Sequence, residues 1–317
     1  MTLFSLSIYN SSHIDPILFV PNDASLGNRS LDTNYGCAMS SFGGYTNHVC
    51  PVCRSDEFHF FYLNGSRPLK RCIDCEFVYA EKIPSVQKVQ QEYLRQFDTA
   101  KKTGWQIRRR IIYRLQTKLV KTLFLRQRII RTLHLGCGDG LLLKQLDREK
   151  KFEAMGLEKL PHFGEDAREQ SLEVYQSSLE EMSLRDQIFD FIHAADRPGF
   201  FHNPERACLE IHRVLAPGGV LFLSLPRMPK LSAVLHGEMW GEETCEQLWH
   251  FSAKNASLFL QRIGFRVHFV TIPRNGSHVF LVAGKQPNLE WDQIPRWVGL
   301  RKRVPEMHEP HTLRPAA

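Results

Sequence analysis

Residues 131–140 read RTLHLGCGDG, and residues 141–150 read LLLKQLDREK. A short apolar run carrying Leu133 and Leu135 enters a turn with Gly136, Gly138 and Gly140, and a helix-forming segment follows at once. Glycine has no Cβ, so such a turn adopts tight dihedrals and lets the backbone come close to a ligand. The next apolar strand, FEAMGLEKL (152–160), sets Glu158 twenty residues beyond Gly138. A nucleotide-binding βαβ unit places a carboxylate on ribose hydroxyls at that spacing.

Working outward, apolar strands fall near 132–136, 152–157, 172–176, 188–194 and 219–225, with helices near 140–149, 162–170 and 203–215. This alternation predicts an α/β fold with a mostly parallel, doubly wound sheet. Asn203 and Pro204 supply an N-cap and a first helical residue, and Pro217-Gly218-Gly219 marks that helix's stop. Ser252 caps a further helix ending at Gly264. RVHFVTI and SHVFLVAG then flank Asn275-Gly276, a hairpin signal.

The blocks LHLGCGDG, GLE, IFDFIHA, NPERACLEIHRVLAPGGVLFLSLP and WHFSAKNASLFLQRIGF occur in this order between Leu133 and Phe265, within a likeness that covers roughly residues 85–285. Together they resemble a class I S-adenosylmethionine-dependent methyltransferase. The resemblance implies a Rossmann-like seven-stranded sheet closed by an antiparallel hairpin, with S-adenosylmethionine as cofactor. It implies that Gly136, Cys137, Gly138, Asp139 and Gly140 pass under the methionine part. There Cys137 packs as a small residue, and Asp139 either meets the ammonium group or caps the helix. It implies that Glu158 takes both ribose hydroxyls and that Ser178 and Leu179 stand at the adenine amine. Asp190 is then structural at the start of the fourth strand, and His193 faces the pocket from its end. A tyrosine-bearing N-terminal helix covers the pocket in similar enzymes; Tyr93 and Trp105 are the candidates.

One departure affects the chemistry. Related small-molecule enzymes often carry a Glu-His pair before an Asn-Pro of this kind, and the matching positions here are Gly199 and Phe200. His193, His202 and His250 are the substitutes for a general base, since histidine removes a hydroxyl proton near neutral pH.

Upstream, CPVCRSDEFHFFYLNGSRPLKRCIDC (50–75) holds two C-x-x-C pairs, Cys50/Cys53 and Cys72/Cys75, with eighteen residues between them. Two such knuckles deliver four thiolates to one tetrahedral ion, which predicts a closed, structural zinc site in a small ribbon. FHFFYL before Asn64-Gly65 reads as a strand entering a hairpin turn, with His59 a strand residue.

The segment 84–130 reads as helical. Ile107, Ile111, Leu115 and Leu119 recur every four residues, with Ile112 and Leu123 alongside, as a stripe for packing on the sheet domain. Arg108, Arg109, Arg114, Lys118 and Lys121 form the opposite face. Between Lys101 and Arg131 there are eleven Lys or Arg and no Asp or Glu, more than the whole net charge of +7. That pattern fits either a solvated helix face or a polyanion patch.

The resulting organisation is a leader (1–46), a zinc-ribbon-like module (47–82), a helical linker or cap (83–130), the S-adenosylmethionine-binding domain (131–285) and a Pro-, Arg- and Trp-containing tail (286–317). A 317-residue chain with 43% apolar residues suits one large and one small domain. No apolar run approaches the roughly 20 residues that span a bilayer. The eight cysteines suit a reducing compartment with one metal site. The expectation is a soluble cytoplasmic enzyme methylating a small molecule, without a membrane partner. An RNA methyltransferase using the 101–131 stretch, or a binding protein that has lost turnover, are the alternatives.

Overall fold

The structure is a computed structural model, and it describes residues 44–61, 68–89, 91, 105–194, 201–227, 248–271 and 278–285. The leader to residue 43, Tyr93, Gly199, Phe200, both Asn-Gly turns and the tail from residue 286 lie outside the described residues.

The central sheet has seven strands: β6 (Ile130–Leu135), β7 (Phe152–Leu157), β8 (Val174–Tyr175), β9 (Phe189–Ala194), β10 (Leu215–Pro226), β12 (Arg266–Thr271) and β13 (His278–Gly284). Their order is β12-β13-β10-β9-β6-β7-β8. β6 through β10 are parallel, whereas β13 runs antiparallel to both β10 and β12. The chain winds from β6 out to β8, then returns to β9 on the other side of β6. The switch point therefore lies between β6 and β9, where His134 pairs with His193.

Strands covered on both faces are apolar at nearly every position. On one face Ile130, Phe191 and Phe222 pack with Tyr113, Val120, Leu142 and Leu146, contributed by α1 (Trp105–Leu123) and α2 (Leu141–Asp147). On the other, Leu133, Ile192 and Leu221 pack with Ile211 of α4 (Pro204–Val214) and Phe259 of α5 (Ala253–Ile263). The helix α3 (Pro161–Glu169) links β7 to β8. Asn203 caps α4 by accepting from the Arg206 N–H, and Ser252 caps α5 by accepting from the Asn255 N–H. The helix α4 stops at Val214, so Pro217-Gly218-Gly219 sits inside β10 at a register shift rather than at the helix end.

The ribbon is a four-stranded antiparallel sheet of order β11-β4-β3-β2, built from β2 (Phe58–Phe61), β3 (Leu69–Cys72), β4 (Val78–Ala80) and β11 (Trp249–His250). A separate pair, β1 (Tyr45–Thr46) and β5 (Lys82–Ile83), flanks it. β11 comes from the far side of β10, so the large domain supplies the ribbon's fourth strand. The two share one core: the Phe77 and Phe251 ring centroids lie 4.6 Å apart, and those of Phe251 and Phe259 5.6 Å apart.

The packing stripe expected on α1 is corrected. Ile111 and Leu115 are 55% and 56% exposed, and of that stripe Leu119 alone is buried among the residues whose side chains are described. The inward face is Tyr113, Thr117, Val120 and Phe124, which share the same helical period. Hydropathy ranks isoleucine above tyrosine and threonine, but the chosen face needs polar fitting. Thr117 donates to the Tyr113 carbonyl at 2.8 Å and accepts from Gln145 at 2.8 Å. Tyr113 sets its ring edge-on to His134 and His193. Among the described residues no helix is long and apolar enough to cross a membrane.

Candidate functional site

Gly136, Gly138 and Gly140 all have left-handed φ, of 68°, 53° and 69°. Two of them do different work. A Cβ at Gly140 would meet the Ala167 Cβ at 2.7 Å, so this glycine lets α3 approach α2. A Cβ at Gly138 would meet nothing within 4 Å, so the turn borders open space there.

Glu158 closes the other side. It follows β7 and is 3% exposed, with Oε2 accepting from the Gly138 N–H at 3.0 Å and Oε1 from the Leu160 N–H at 3.1 Å. Each carboxylate oxygen takes more than one hydrogen bond, so this grip is compatible with two further donors. Cys137 is buried against Gly156, whose own Cβ would lie 2.6 Å from the Cys137 Sγ. Asp139 accepts from the Leu141 N–H at 3.2 Å, a helix-capping contact. Ser178 caps the short turn Leu179–Glu181 in a reciprocal box with Glu181, and Leu179 is buried. Lys159 bonds Glu181 at 2.7 Å and holds its carboxyl below the ordinary value.

The three histidines have different partners. His193 is buried at the switch point, and its Nε2–H donates to the Gln116 side-chain oxygen at 3.1 Å. His202 donates from Nε2 to the Pro84 carbonyl at 3.0 Å. His250 is buried in β11, paired with Val78 of the ribbon. Asp190 accepts from the Arg131 N–H at 2.9 Å, and burial raises its carboxyl above the usual range.

The sulfurs of Cys50, Cys53, Cys72 and Cys75 lie within 4.8 Å of one another. Cys50 and Cys75 are 3.5 Å apart and Cys53 and Cys72 3.4 Å apart, too long for disulfides. A tetrahedron with bonds of about 2.3 Å has edges of roughly 3.8 Å, so the group fits a soft divalent ion. Bonding to Cys75 draws the Cys50 thiol down to about 6, while burial pushes Cys53 up to about 12 and bonding to Cys50 raises Cys75. The Tyr79 hydroxyl is buried without a hydrogen-bond partner among the described residues, and burial and the four cysteines raise it. An orphaned donor beside clustered sulfurs suits a site that carries thiolate charge.

The two knuckles share one backbone geometry. Arg54 and Glu76 each follow the second cysteine of a pair, with left-handed φ of 70° and 60°. Their N–H groups donate to the Cys50 and Cys72 carbonyls at 2.9 and 3.1 Å. The Arg54 side chain reaches Glu205 of α4, and Arg262 bridges Glu205 and the Pro51 carbonyl. Trp249 of β11 donates to the Phe201 carbonyl at 2.7 Å. Sequence reasoning missed Gln116, Tyr79, Glu205 and Trp249. Gln116 and Tyr79 belong to no motif, and the roles of Glu205 and Trp249 depend on a contact between distant segments.

Residues 133–223 match the model of a family described as a methyltransferase domain. The seven-stranded domain has the fold of S-adenosylmethionine-dependent methyltransferases. Solved structures similar to the chain include a possible histamine N-methyltransferase of Thermotoga maritima, at 19% identity and TM-score 0.45 over 63% of this chain and all (100%) of that one. The cyclase SpnF is similar at 18% identity and TM-score 0.45, over 55% of this chain and 81% of its own. A chain of the Haloferax volcanii complex containing the Trm112 methyltransferase activator is similar at 16% identity and TM-score 0.42, over 53% and 88%. No curated protein matches the chain.

Proposed function

We propose that this protein is an S-adenosylmethionine-dependent methyltransferase that moves a methyl group to a small-molecule acceptor. The observation that carries this is the buried Glu158 carboxylate facing a glycine turn that opens onto space at Gly138.

In this reading Glu158 holds the ribose diol. The backbone of Gly136–Gly140 lies under the methionine part, with Cys137 and Asp139 keeping the turn in shape. Ser178 and Leu179 flank the adenine. The bound cofactor supplies an activated methyl group on a sulfonium. The protein aligns the acceptor and excludes water, so most of the catalysis is orientation. His193, near the carboxyl end of β9, is the candidate base, with its Nε2–H held by Gln116. His202 and His250 instead tie this region to the ribbon and act by position. Cys50, Cys53, Cys72 and Cys75 hold a structural Zn2+, and a reducing cytoplasm suits their thiolates.

The test is calorimetry with S-adenosylhomocysteine and NAD side by side. The reading expects the first to bind and NAD not to. The reverse result would overturn it. An RNA acceptor remains the second reading, favoured by Arg110 and Arg114 of α1, which have no ion-pair partner among the described residues; RNA binding that weakens steeply with salt would support it.

A further inference from the structure

The helix α1 has two apolar faces and the fold covers one. On the outward flank Ile111 and Leu115 are more than half exposed and Ile112 is 43% exposed. Just past the helix, Leu125 and Ile129 are also exposed, the first at 73%. Isolated apolar residues on a surface need no explanation, whereas a run of them marks a contact.

The charges set among them narrow the contact. Arg110, Arg114, Arg126 and Arg128 are exposed, and among the described residues none has an ion-pair partner. By contrast Lys121 bonds Glu149 at 2.8 Å, and Arg131 lies 3.8 Å from Glu153. No acidic residue occurs between Lys101 and Arg131 to neutralise the flank. A second copy of this face would bring arginine against arginine. Nucleic acid would use the arginines but not the aliphatics, because bases stack on aromatic and guanidinium planes. A protein partner with an acidic groove would seat the same helix, and such a contact would give no binding to protein-free vesicles. Aliphatic side chains interleaved with cations on a convex helix suit a soft surface with negative headgroups over hydrocarbon.

We propose that the outward flank of α1, centred on Ile111 and Leu115 with Arg110 and Arg114, docks the protein peripherally on an anionic lipid surface. The sequence expectation of no membrane partner rested on the lack of a spanning segment, which a peripheral contact does not need. The proposal does not depend on the methyltransferase reading, so either can fail alone.

The test is flotation of the full chain with phosphatidylcholine vesicles and with vesicles of equimolar phosphatidylglycerol and phosphatidylcholine. Binding is expected to the second and not the first. Arg110→Gln with Arg114→Gln should weaken it about thirtyfold, from roughly fivefold per charge. Ile111→Ser with Leu115→Ser should weaken it about tenfold or more through lost apolar insertion. These positions are exposed, and unchanged circular dichroism and thermal melts would show that the variants still fold. Several outcomes would overturn the proposal. These are no binding, equal binding to both vesicles, or serine variants that bind as the parent does. Binding of a short duplex RNA without vesicle binding, or a dimer that Leu115→Ser dissolves, would overturn it as well.

Discussion

Arg54, in the left-handed region at the end of the first cysteine knuckle, places its guanidinium 2.5 and 2.7 Å from the two carboxylate oxygens of Glu205 in the first turn of α4. One residue thus carries backbone strain in the ribbon and a forked ion pair to the large domain. The pair is partly buried, which lifts it above the usual worth of a surface salt bridge. Arg54→Ala should cost about 2 kcal/mol in urea unfolding. Arg54→Gly should cost roughly 1 kcal/mol less than Arg54→Ala, because glycine relieves the positive φ. If the two variants prove equally unstable, the backbone at Arg54 is not strained.

Glu158→Gln keeps the shape but removes the charge facing the turn. Charge-assisted bonds to a ligand's hydroxyls are worth about 1.5–3 kcal/mol. Affinity for S-adenosylhomocysteine, read by calorimetry, should therefore fall about ten- to hundredfold. An unchanged affinity would remove Glu158 from the site.

The two glycines should separate binding from stability. Gly140→Ala drives a Cβ into Ala167 at 2.7 Å and should cost roughly 2–4 kcal/mol through overpacking and positive φ. Gly138→Ala meets no neighbour and should cost only about 1 kcal/mol, yet abolish cofactor binding by filling the open space. Thermal melts with and without S-adenosylhomocysteine check both.

His268, on β12, has its imidazole pKa drawn down to about 4 by burial and then by Arg266. A base with a lowered folded value stabilises the fold above its unfolded value near 6.5, and that stability is lost as pH falls toward 4. Unfolding measured between these pH values should show an acid-labile step, and His268→Gln should flatten it. A parallel pH profile in the variant would assign the step elsewhere.

Removing metal with a thiol-competent chelator should loosen the ribbon, since burial of four uncompensated sulfurs is then unfavourable. Trp249 is 1% exposed, so its emission should shift to the red as β11 detaches. Trp249→Phe should remove most of that shift. Chelation without any optical change would argue against a resident ion.

Much of the architecture was legible because its signals are local. The glycine turn, the Asn203 and Ser252 caps and the paired cysteines each need only neighbouring residues to declare themselves. The face of α1 was not legible. Two stripes share the helical period, and the one chosen is decided by His134 and His193, which lie on strands distant in sequence. Nor could spacing show that Trp249 and His250 would join a sheet begun at Phe58. A two-residue strand carries almost no pattern of its own.

That late addition makes the ribbon something other than a detachable appendage. With its outer strand contributed from beyond β10, cutting the chain after β5 would divide one sheet between two fragments and uncover Phe251 where Phe77 packs on it. The Phe201 carbonyl held by Trp249 lies next to His202, itself anchored to Pro84. Whatever loosens the sulfur-bound end is therefore felt at Phe201 and His202, just ahead of α4.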